Sequence, residues 1–250
     1  MYLTSYKDKV CYLSEYLDYP TFEEMENTLS DVQKAQIHRS VLESIRRLSA
    51  EYSDMDLQPV NSMWSIIDPA PLDVDVDEKQ ENINDLVEAL SVAGASKTAE
   101  RVVRFNEANR KKIADVFRSL SRCVIQGDLN ESNILISDEK FAGIIDFNMA
   151  GTEVNINHFC CETNDGVEED EFCLYPASEI FEKMKNKSAE SLDIILEYYS
   201  LNSVEKSVIN NYRNIVMISQ NPNVCMYIRS LKKYPDKVVE LIELIVGQNI

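Results

Sequence analysis

The stretch from residue 126 to residue 147, QGDLNESNILISDEKFAGIIDF, constrains the fold of this chain more than any other. Two short apolar runs, 123–126 and 134–137, flank a polar loop. Residues 137–140 carry a turn signal that leads into a third apolar run at 141–145. The pattern predicts a β-hairpin that follows a polar loop.

Three side chains with carbonyl oxygens stand at the ends of these predicted strands, namely Asp128, Asn133 and Asp146. Phosphoryl transfer uses such a set. A carboxylate orients the attacking hydroxyl and accepts its proton, and two oxygen ligands hold the magnesium ion that bridges the phosphates. The alternative is an ordinary hairpin whose Asp and Asn favour the turn and face solvent. Residue types alone allow both interpretations.

The same residues resemble the signature of the aminoglycoside phosphotransferase and choline kinase-like family, a branch of the protein-kinase-like fold. In that family the loop reads His-Gly-Asp, with Asn after four intervening residues, and a strand ending in Ile-Ile-Asp follows. The resemblance implies that Asp128 is the catalytic base and that Asn133 and Asp146 bind Mg²⁺. Gln126 stands where the family has His, and its amide can replace the hydrogen bonds of that scaffold residue.

The resemblance implies an α+β, mostly helical fold: a protein-kinase-like C-lobe with a small catalytic β-hairpin and a remnant N-lobe hairpin. Residues 1–17 are expected to form the remnant hairpin and hinge, and residues 18–250 the helical C-lobe. The run at 10–17 predicts the last N-lobe strand, although an ordinary edge strand has the same pattern. By resemblance, the hinge backbone at Glu15, Tyr16 and Leu17 binds the adenine of ATP, or the base of GTP.

The elements that precede the hinge in the family have no counterpart here, because the chain has six glycines and no Gly-rich phosphate loop. We therefore expect an N-terminally truncated relative. It is either a small-molecule kinase or a catalytically inactive binding module. The uncovered strand at 10–17 is expected to form a homodimer, or to be covered by residues 1–9 folding back as a hairpin.

Periodic apolar residues and helix-capping signals predict a helical remainder of the chain. The predicted helices span residues 31–52, 78–93, 96–121, 176–186, 188–199, 203–220, 222–234 and 235–246. Asp31 is placed to cap the first of them. Residues 55–77, which contain three prolines, are predicted to form a loop or an insertion.

An acidic run at residues 162–171 holds six carboxylates in ten residues. In aminoglycoside enzymes, acidic residues in this region clamp the ammonium groups of the substrate. The resemblance therefore suggests Glu162, Asp165 and Glu169 as substrate-binding residues, and a solvated acidic loop is the alternative. His158 lies just before the run and is expected to be a structural residue beside Phe159, although it could serve as a base.

The formal net charge of −18 argues against nucleic acid as a partner, because a phosphate backbone would be repelled. A small hydroxylated substrate that can carry positive charge fits this acidity better. Residues 1–9 lack the apolar core of a signal peptide, and no apolar run is long enough to span a membrane. We expect a cytoplasmic protein without a membrane partner.

Overall fold

The computed structural model of the chain describes residues 2–6, 9–13, 16–52, 61–68 and 76–248, with the backbone alone for residues 2–13. In this part of the chain the strands are β1 (Tyr2–Tyr6), β2 (Lys9–Leu13), β3 (Arg122–Ile125), β4 (Ile134–Ser137), β5 (Lys140–Ile144) and β6 (Gly151–Val154). The helices are α1 (Phe22–Met25), α2 (Asp31–Glu51), α3 (Glu78–Val92), α4 (Ser96–Ala114), α5 (Asn155–Glu162), α6 (Glu171–Leu174), α7 (Ala177–Leu196), α8 (Ser203–Ser219), α9 (Asn221–Leu231) and α10 (Pro235–Val246). The predicted α+β, mostly helical fold class is confirmed.

The chain divides into two compact units, Met1–Ile37 with Leu129–Ile145, and His38–Asp128 with Asp146–Ile250. The hairpin formed by β4 and β5 falls in the same unit as the N-terminal residues, and the predicted domain boundary after residue 17 stays a prediction. Within this first unit, a main-chain hydrogen bond links the hairpin to the N-terminal residues: the N–H of Ile136 donates to the carbonyl of Pro20 at 2.9 Å. An isolated bridge also pairs Thr21 with Leu135.

In the first unit, β4 and β5 form the predicted hairpin, with Ser137 opposite Lys140. Asp138 and Glu139 are the two turn residues, and their φ angles are 50° and 59°. A two-residue turn with positive φ at both positions matches the right-handed twist of the flanking strands. Short polar side chains such as that of Asp138 tolerate this backbone conformation.

In the second unit, β3 pairs antiparallel with β6, and α3, α4 and the C-terminal helices form a packed helical core. The buried face of α3 is made by Ile83, Leu86 and Leu90, at spacings of three and four residues. These side chains belong to the same cluster as Val102 and Phe105 of α4. No helix in the described part of the chain has the length and apolarity to cross a membrane.

Three of the predicted helices are wrong in their bounds. The helix expected at 96–121 ends at Ala114, and a short 3₁₀ turn at Phe117–Ser119 leads into β3. The two helices expected at 176–186 and 188–199 are one helix, α7, since no Gly or Pro interrupts the sequence of α7. The other predicted helices are confirmed to within three residues at each end.

Helix α2 begins at Asp31, but the residue that caps it is Ser30 and not Asp31. The Ser30 hydroxyl accepts a hydrogen bond from the N–H of Gln33 at 3.4 Å, and the Gln33 side chain accepts one from the N–H of Ser30 at 2.8 Å. This reciprocal pair is a capping box, in which two otherwise unpaired donors at the helix start are satisfied.

The N-terminal strand is shorter than expected, because β2 ends at Leu13 and residues 16–20 have no regular structure. Its predicted cover by residues 1–9 is confirmed: β1 pairs antiparallel with β2, from Tyr2 opposite Leu13 to Tyr6 opposite Lys9. Backbone groups on one edge of the strand are thereby satisfied within the chain. Self-association through this strand stays a prediction.

Candidate active site

The loop that follows β3 is held by the side chain of Gln126. Its Oε1 accepts a hydrogen bond from the N–H of Asp128 at 2.7 Å, and its Nε2 donates to the main-chain carbonyl of Asp146 at 2.5 Å. Gln126 is only 6% exposed. One buried amide, with both a donor and an acceptor, therefore ties the main chain of the two candidate carboxylates together. The expectation that an amide can serve in place of the family's His has a structural basis.

Gly127 occupies a position that no other residue could take without rearrangement. Its φ is +88°, in the left-handed region, and a Cβ added there would lie 2.1 Å from the carbonyl oxygen of Met149. The loop approaches the segment after Asp146 at this point. The absence of a side chain at residue 127 permits that close approach.

Asp128 and Asp146 are both exposed residues of the second unit. Asp146 follows the last hairpin strand with a φ of 57°, and its Oδ1 accepts a hydrogen bond from the N–H of Asn148 at 3.3 Å. A non-glycine residue with positive φ is uncommon, and Asp is among the residues that tolerate it. Solvent and ligands can reach both carboxylates.

Asn133 lies in the first unit, at the end of a 3₁₀ turn, Glu131–Asn133. The turn is started by Asn130, whose side chain accepts a hydrogen bond from the N–H of Ser132 at 3.0 Å. The main-chain carbonyl of Asn133 accepts a hydrogen bond from the N–H of Ile145 at 3.0 Å, which ties the loop to the end of β5. The residue is buried, so its side-chain amide has a confined set of orientations.

Oxygen donors such as those of Asn133 and Asp146 are the ligands that Mg²⁺ prefers. Within the described residues, no group of three or more His, Cys, Asp or Glu side chains could hold a metal ion. Mg²⁺ usually keeps several waters and takes further ligands from phosphates. By their chemistry a carboxylate and an amide are ligands that Mg²⁺ accepts, and the assignment of Asn133 and Asp146 stays a prediction.

The candidate hinge residues are only partly described. Tyr16 and Leu17 are 86% and 43% exposed, and they belong to an irregular segment. Glu15 lies outside the described residues. Their exposure leaves room for a ligand, and their role in binding the base stays a prediction.

A cavity of about 240 Å³ lies in the second unit, at the end of α5. Two of the predicted substrate residues, Glu162 and Asp165, line it. The rest of its lining is His38 from α2, Thr163 and Asn164 after α5, and Lys187, Glu190 and Ser191 from α7. Glu169 is not part of this lining, because its carboxylate pairs with Lys233. The structure thus brings two of the three residues together.

The Glu162 side chain is 9% exposed, and its Oε1 has no hydrogen-bond partner among the described residues. Burial raises the pKa of this carboxyl from 4.5 to about 8, and the negative charge of Asp128 acts in the same direction. The charge of Asp128 therefore contributes to the raised pKa of Glu162.

His158 is buried beside Glu162, with Nδ1 3.8 Å from Glu162 Oε1. Burial lowers the pKa of the imidazole to about 3, so the ring is neutral at physiological pH. Its ring stacks on Trp64 with 6.0 Å between the centroids. These surroundings agree with the structural role expected for His158.

Six lining residues were not among the sequence-based candidates. Thr163 and Asn164 lie within the acidic run, and the others are His38, Lys187, Glu190 and Ser191. His38 Nε2 lies 3.3 Å from the Ser191 hydroxyl, although the two residues are 153 positions apart. No local pattern connects residues so distant in sequence. The spacing of Lys187, Glu190 and Ser191 by three and four residues does place them on one face of a helix, and this was the available signal.

Comparison with known protein families supports the phosphotransferase class that the loop and hairpin indicate. A phosphotransferase enzyme family, APH, matches residues 4–153. The match includes Asp128, Asn133 and Asp146 and spans more than half of the chain. The chain belongs to this phosphotransferase family, and the resemblance found in the sequence is confirmed.

Solved aminoglycoside phosphotransferase structures are similar to the chain at low identity. The gentamicin complex of APH(2'')-IIa is 15% identical, with a TM-score of 0.43, and the alignment covers 99% of this chain and 73% of that chain. ADP-bound APH(2'')-Ib is 16% identical, with a TM-score of 0.41 and coverages of 96% and 75%. The streptomycin–ATP complex of APH(2'')-IIa is 15% identical, with a TM-score of 0.41 and coverages of 96% and 74%. No curated protein sequence matches the chain.

Proposed function

We propose that this protein is an ATP-dependent phosphotransferase that transfers the γ-phosphate to a hydroxyl group of a small molecule. One observation carries the proposal. The Gln126 amide joins the main chain of Asp128 to that of Asp146 within a sequence that matches a phosphotransferase family over this region. Phosphoryl transfer depends mainly on positioning and electrostatics, and such a scaffold supplies positioning.

In the proposed reaction the substrate oxygen attacks the γ-phosphorus, and the bond from phosphorus to the oxygen of the leaving ADP breaks. Asp128 orients the substrate hydroxyl and accepts its proton. Its exposure allows a hydroxylated ligand to reach it. Asn133 and Asp146, by their positions in the family motif, would hold Mg²⁺, which neutralises charge on the phosphates when bound. The base of ATP, or of GTP, is assigned to the main chain at Tyr16 and Leu17 together with Glu15.

The substrate is a small hydroxylated molecule that carries an ammonium group. Glu162 and Asp165 line one cavity, and the Glu162 carboxyl is coupled electrostatically to Asp128. An ammonium group donates hydrogen bonds to carboxylate oxygens, and Glu162 and Asp165 both belong to the lining of this cavity. Glu169 can contribute only by exchanging Lys233 for the substrate, since these two residues are paired.

Calorimetry with ATP or GTP, in the presence and absence of Mg²⁺, tests the nucleotide part of the proposal. Asp146→Asn should weaken magnesium-dependent nucleotide binding by at least about tenfold, because losing even an outer partner of a metal ligand costs that much. Asp138→Asn is the matched control, since it changes an exposed Asp that also has positive φ, at the hairpin turn. Binding without magnesium dependence, or an unaffected Asp146→Asn variant, would exclude the assigned metal site.

A further inference from the structure

The cavity at the end of α5 contains three carboxylates and one ammonium group. The carboxylates belong to Glu162, Asp165 and Glu190, and the ammonium group to Lys187. These four groups are not equivalent, because one pair is already formed within the protein. Lys187 Nζ lies 3.3 Å from Oδ2 of Asp165 and 3.4 Å from Oδ1.

Asp165 is held in place by two adjacent residues of α7. Its main-chain N–H donates a hydrogen bond to the Ser188 hydroxyl at 2.8 Å, and its carboxylate faces Lys187. Ser188 is buried, which fixes the main chain of Asp165 against the helix. The ammonium group of Lys187 therefore occupies the position at Asp165 that a substrate ammonium group would need.

Glu162 differs from Asp165 in having no basic partner in the cavity. Its side chain is 91% buried, and Oε1 makes no hydrogen bond within the described part of the chain. That oxygen lies 3.8 Å from Nδ1 of the neutral His158. Glu162 lines the cavity, while Lys187 pairs with Asp165. A ligand ammonium group in the cavity can therefore use the Glu162 carboxyl as an acceptor without displacing Lys187. The pKa of Glu162 is raised by burial. A positively charged ligand beside this carboxyl would favour its ionised form.

We propose that Lys187 is a specificity residue that limits the positive charge of the substrate. By pairing with Asp165 it leaves Glu162 as the buried partner for one ammonium group, and it disfavours a second ammonium group in the same cavity. The inference rests on the proposed function, since it assumes that this cavity takes the substrate. The volume of about 240 Å³ suits an acyclic or single-ring amino alcohol, because drug-sized ligands occupy pockets of about 300–1,000 Å³.

Binding of two ring-matched probes tests the inference without nucleotide or turnover. The probes are an aminocyclohexanol with one ammonium group and a diaminocyclohexanol with two, each titrated into the full chain by calorimetry. The wild-type protein should prefer the monoamine. In Lys187→Gln the ratio of diamine affinity to monoamine affinity should rise about twofold to fivefold, the scale of an exposed ion pair.

Lys185→Gln is the matched control, because Lys185 lies on the same helix, pairs with Glu182 at 3.6 Å and does not line this cavity. It should leave the ratio unchanged. An unchanged ratio in Lys187→Gln, an equal change in both variants, or no binding of either probe would overturn the inference. If the ratio shifts as expected but no substrate is phosphorylated, the proposed function fails and the charge selection stands. If phosphorylation occurs but the ratio is unchanged, the charge selection fails and the proposed function stands.

Discussion

The loop that follows β3 and the cavity at the end of α5 present their carboxylates in opposite ways. Asp128 and Asp146 are exposed, and the protein fixes them through the main chain with Gln126 and Gly127. Glu162 is buried, and one of its oxygens has no hydrogen-bond partner among the residues that the structure describes. Burial raises the pKa of the Glu162 carboxyl and so favours its neutral form. The loop thus holds two side chains in fixed places, and the cavity can accept charge from a ligand.

The largest expected effect tests whether the loop is fixed by its backbone. Gly127→Ala places a Cβ at φ +88° and against the carbonyl of Met149. We expect a loss of at least about 2 kcal/mol in the free energy of unfolding, since left-handed backbone for a non-glycine residue costs about 1–3 kcal/mol before any clash. Urea denaturation measures this difference.

Gly143→Ala is the control for that measurement, because a Cβ at residue 143 would meet nothing within 4 Å and its φ is not in the left-handed region. Its effect should stay within about 0.5 kcal/mol. Equal stability of the two variants would mean that close packing at residue 127 does not hold the loop.

The second prediction concerns the amide that joins the two carboxylates. Gln126→Leu removes both hydrogen bonds and should lower turnover by about tenfold to a hundredfold, the scale expected when a reacting group is misplaced. Gln126→His should restore turnover to within about tenfold of the wild-type rate, because an imidazole can also act as a donor and an acceptor. Steady-state kinetics of both variants provide the measurement. A His variant as slow as the Leu variant would show that Gln126 acts only through general stability.

The smallest effect distinguishes the cavity from the loop by its pH dependence. The pKa of Glu162 is raised in the folded state to about 8 from its ordinary 4.5. Between these values the folded state binds more protons than the unfolded state, so the free energy of unfolding falls as pH rises. His158 has the opposite effect below pH 6.5, since its pKa is lowered to about 3. His38, whose pKa is also lowered by burial, acts in the same direction as His158. In the window from pH 6.5 to 8, comparison with Glu162→Gln, which retains both histidines, therefore isolates the effect of Glu162.

In that window the wild-type protein should lose up to about 2 kcal/mol relative to Glu162→Gln, which follows from 1.36 kcal/mol per pKa unit. Denaturant unfolding at pH 6.5, 7.2 and 8 measures the two slopes. Parallel slopes would contradict a buried, protonated Glu162, and the contrast drawn with the loop would then disappear.

The same contrast explains what could be predicted from the sequence. The hairpin and the positions of Asp128, Asn133 and Asp146 depend on neighbours within about twenty residues, so a local pattern contains them. The cavity depends on His38 meeting Ser191 across 153 positions, and only tertiary packing decides that meeting. The acidic run likewise does not reveal that Glu169 pairs with Lys233 or that Asp165 pairs with Lys187.

Helix bounds show the same limit. Residues 96–121 have helical periodicity throughout, but the last turns give way to a 3₁₀ turn that leads into β3. The two helices expected at 176–186 and 188–199 form one continuous helix, α7. Ser188 has the residue type of a helix cap, but it is buried inside α7. A cap residue and a buried helix residue have the same identity, and packing alone distinguishes them.

The central claim is that Asp128 accepts a proton during phosphate transfer to a small hydroxylated amine, and ³¹P NMR tests it most directly. The wild-type chain with ATP, Mg²⁺ and a panel of amino alcohols should form ADP and a phosphomonoester in equal amounts. Asp128→Asn should slow ester formation by about a hundredfold or more with nucleotide affinity unchanged, and Asp138→Asn should not. Ester formation by Asp128→Asn at the wild-type rate, or nucleotide binding by the wild-type chain without any ester, would contradict the account.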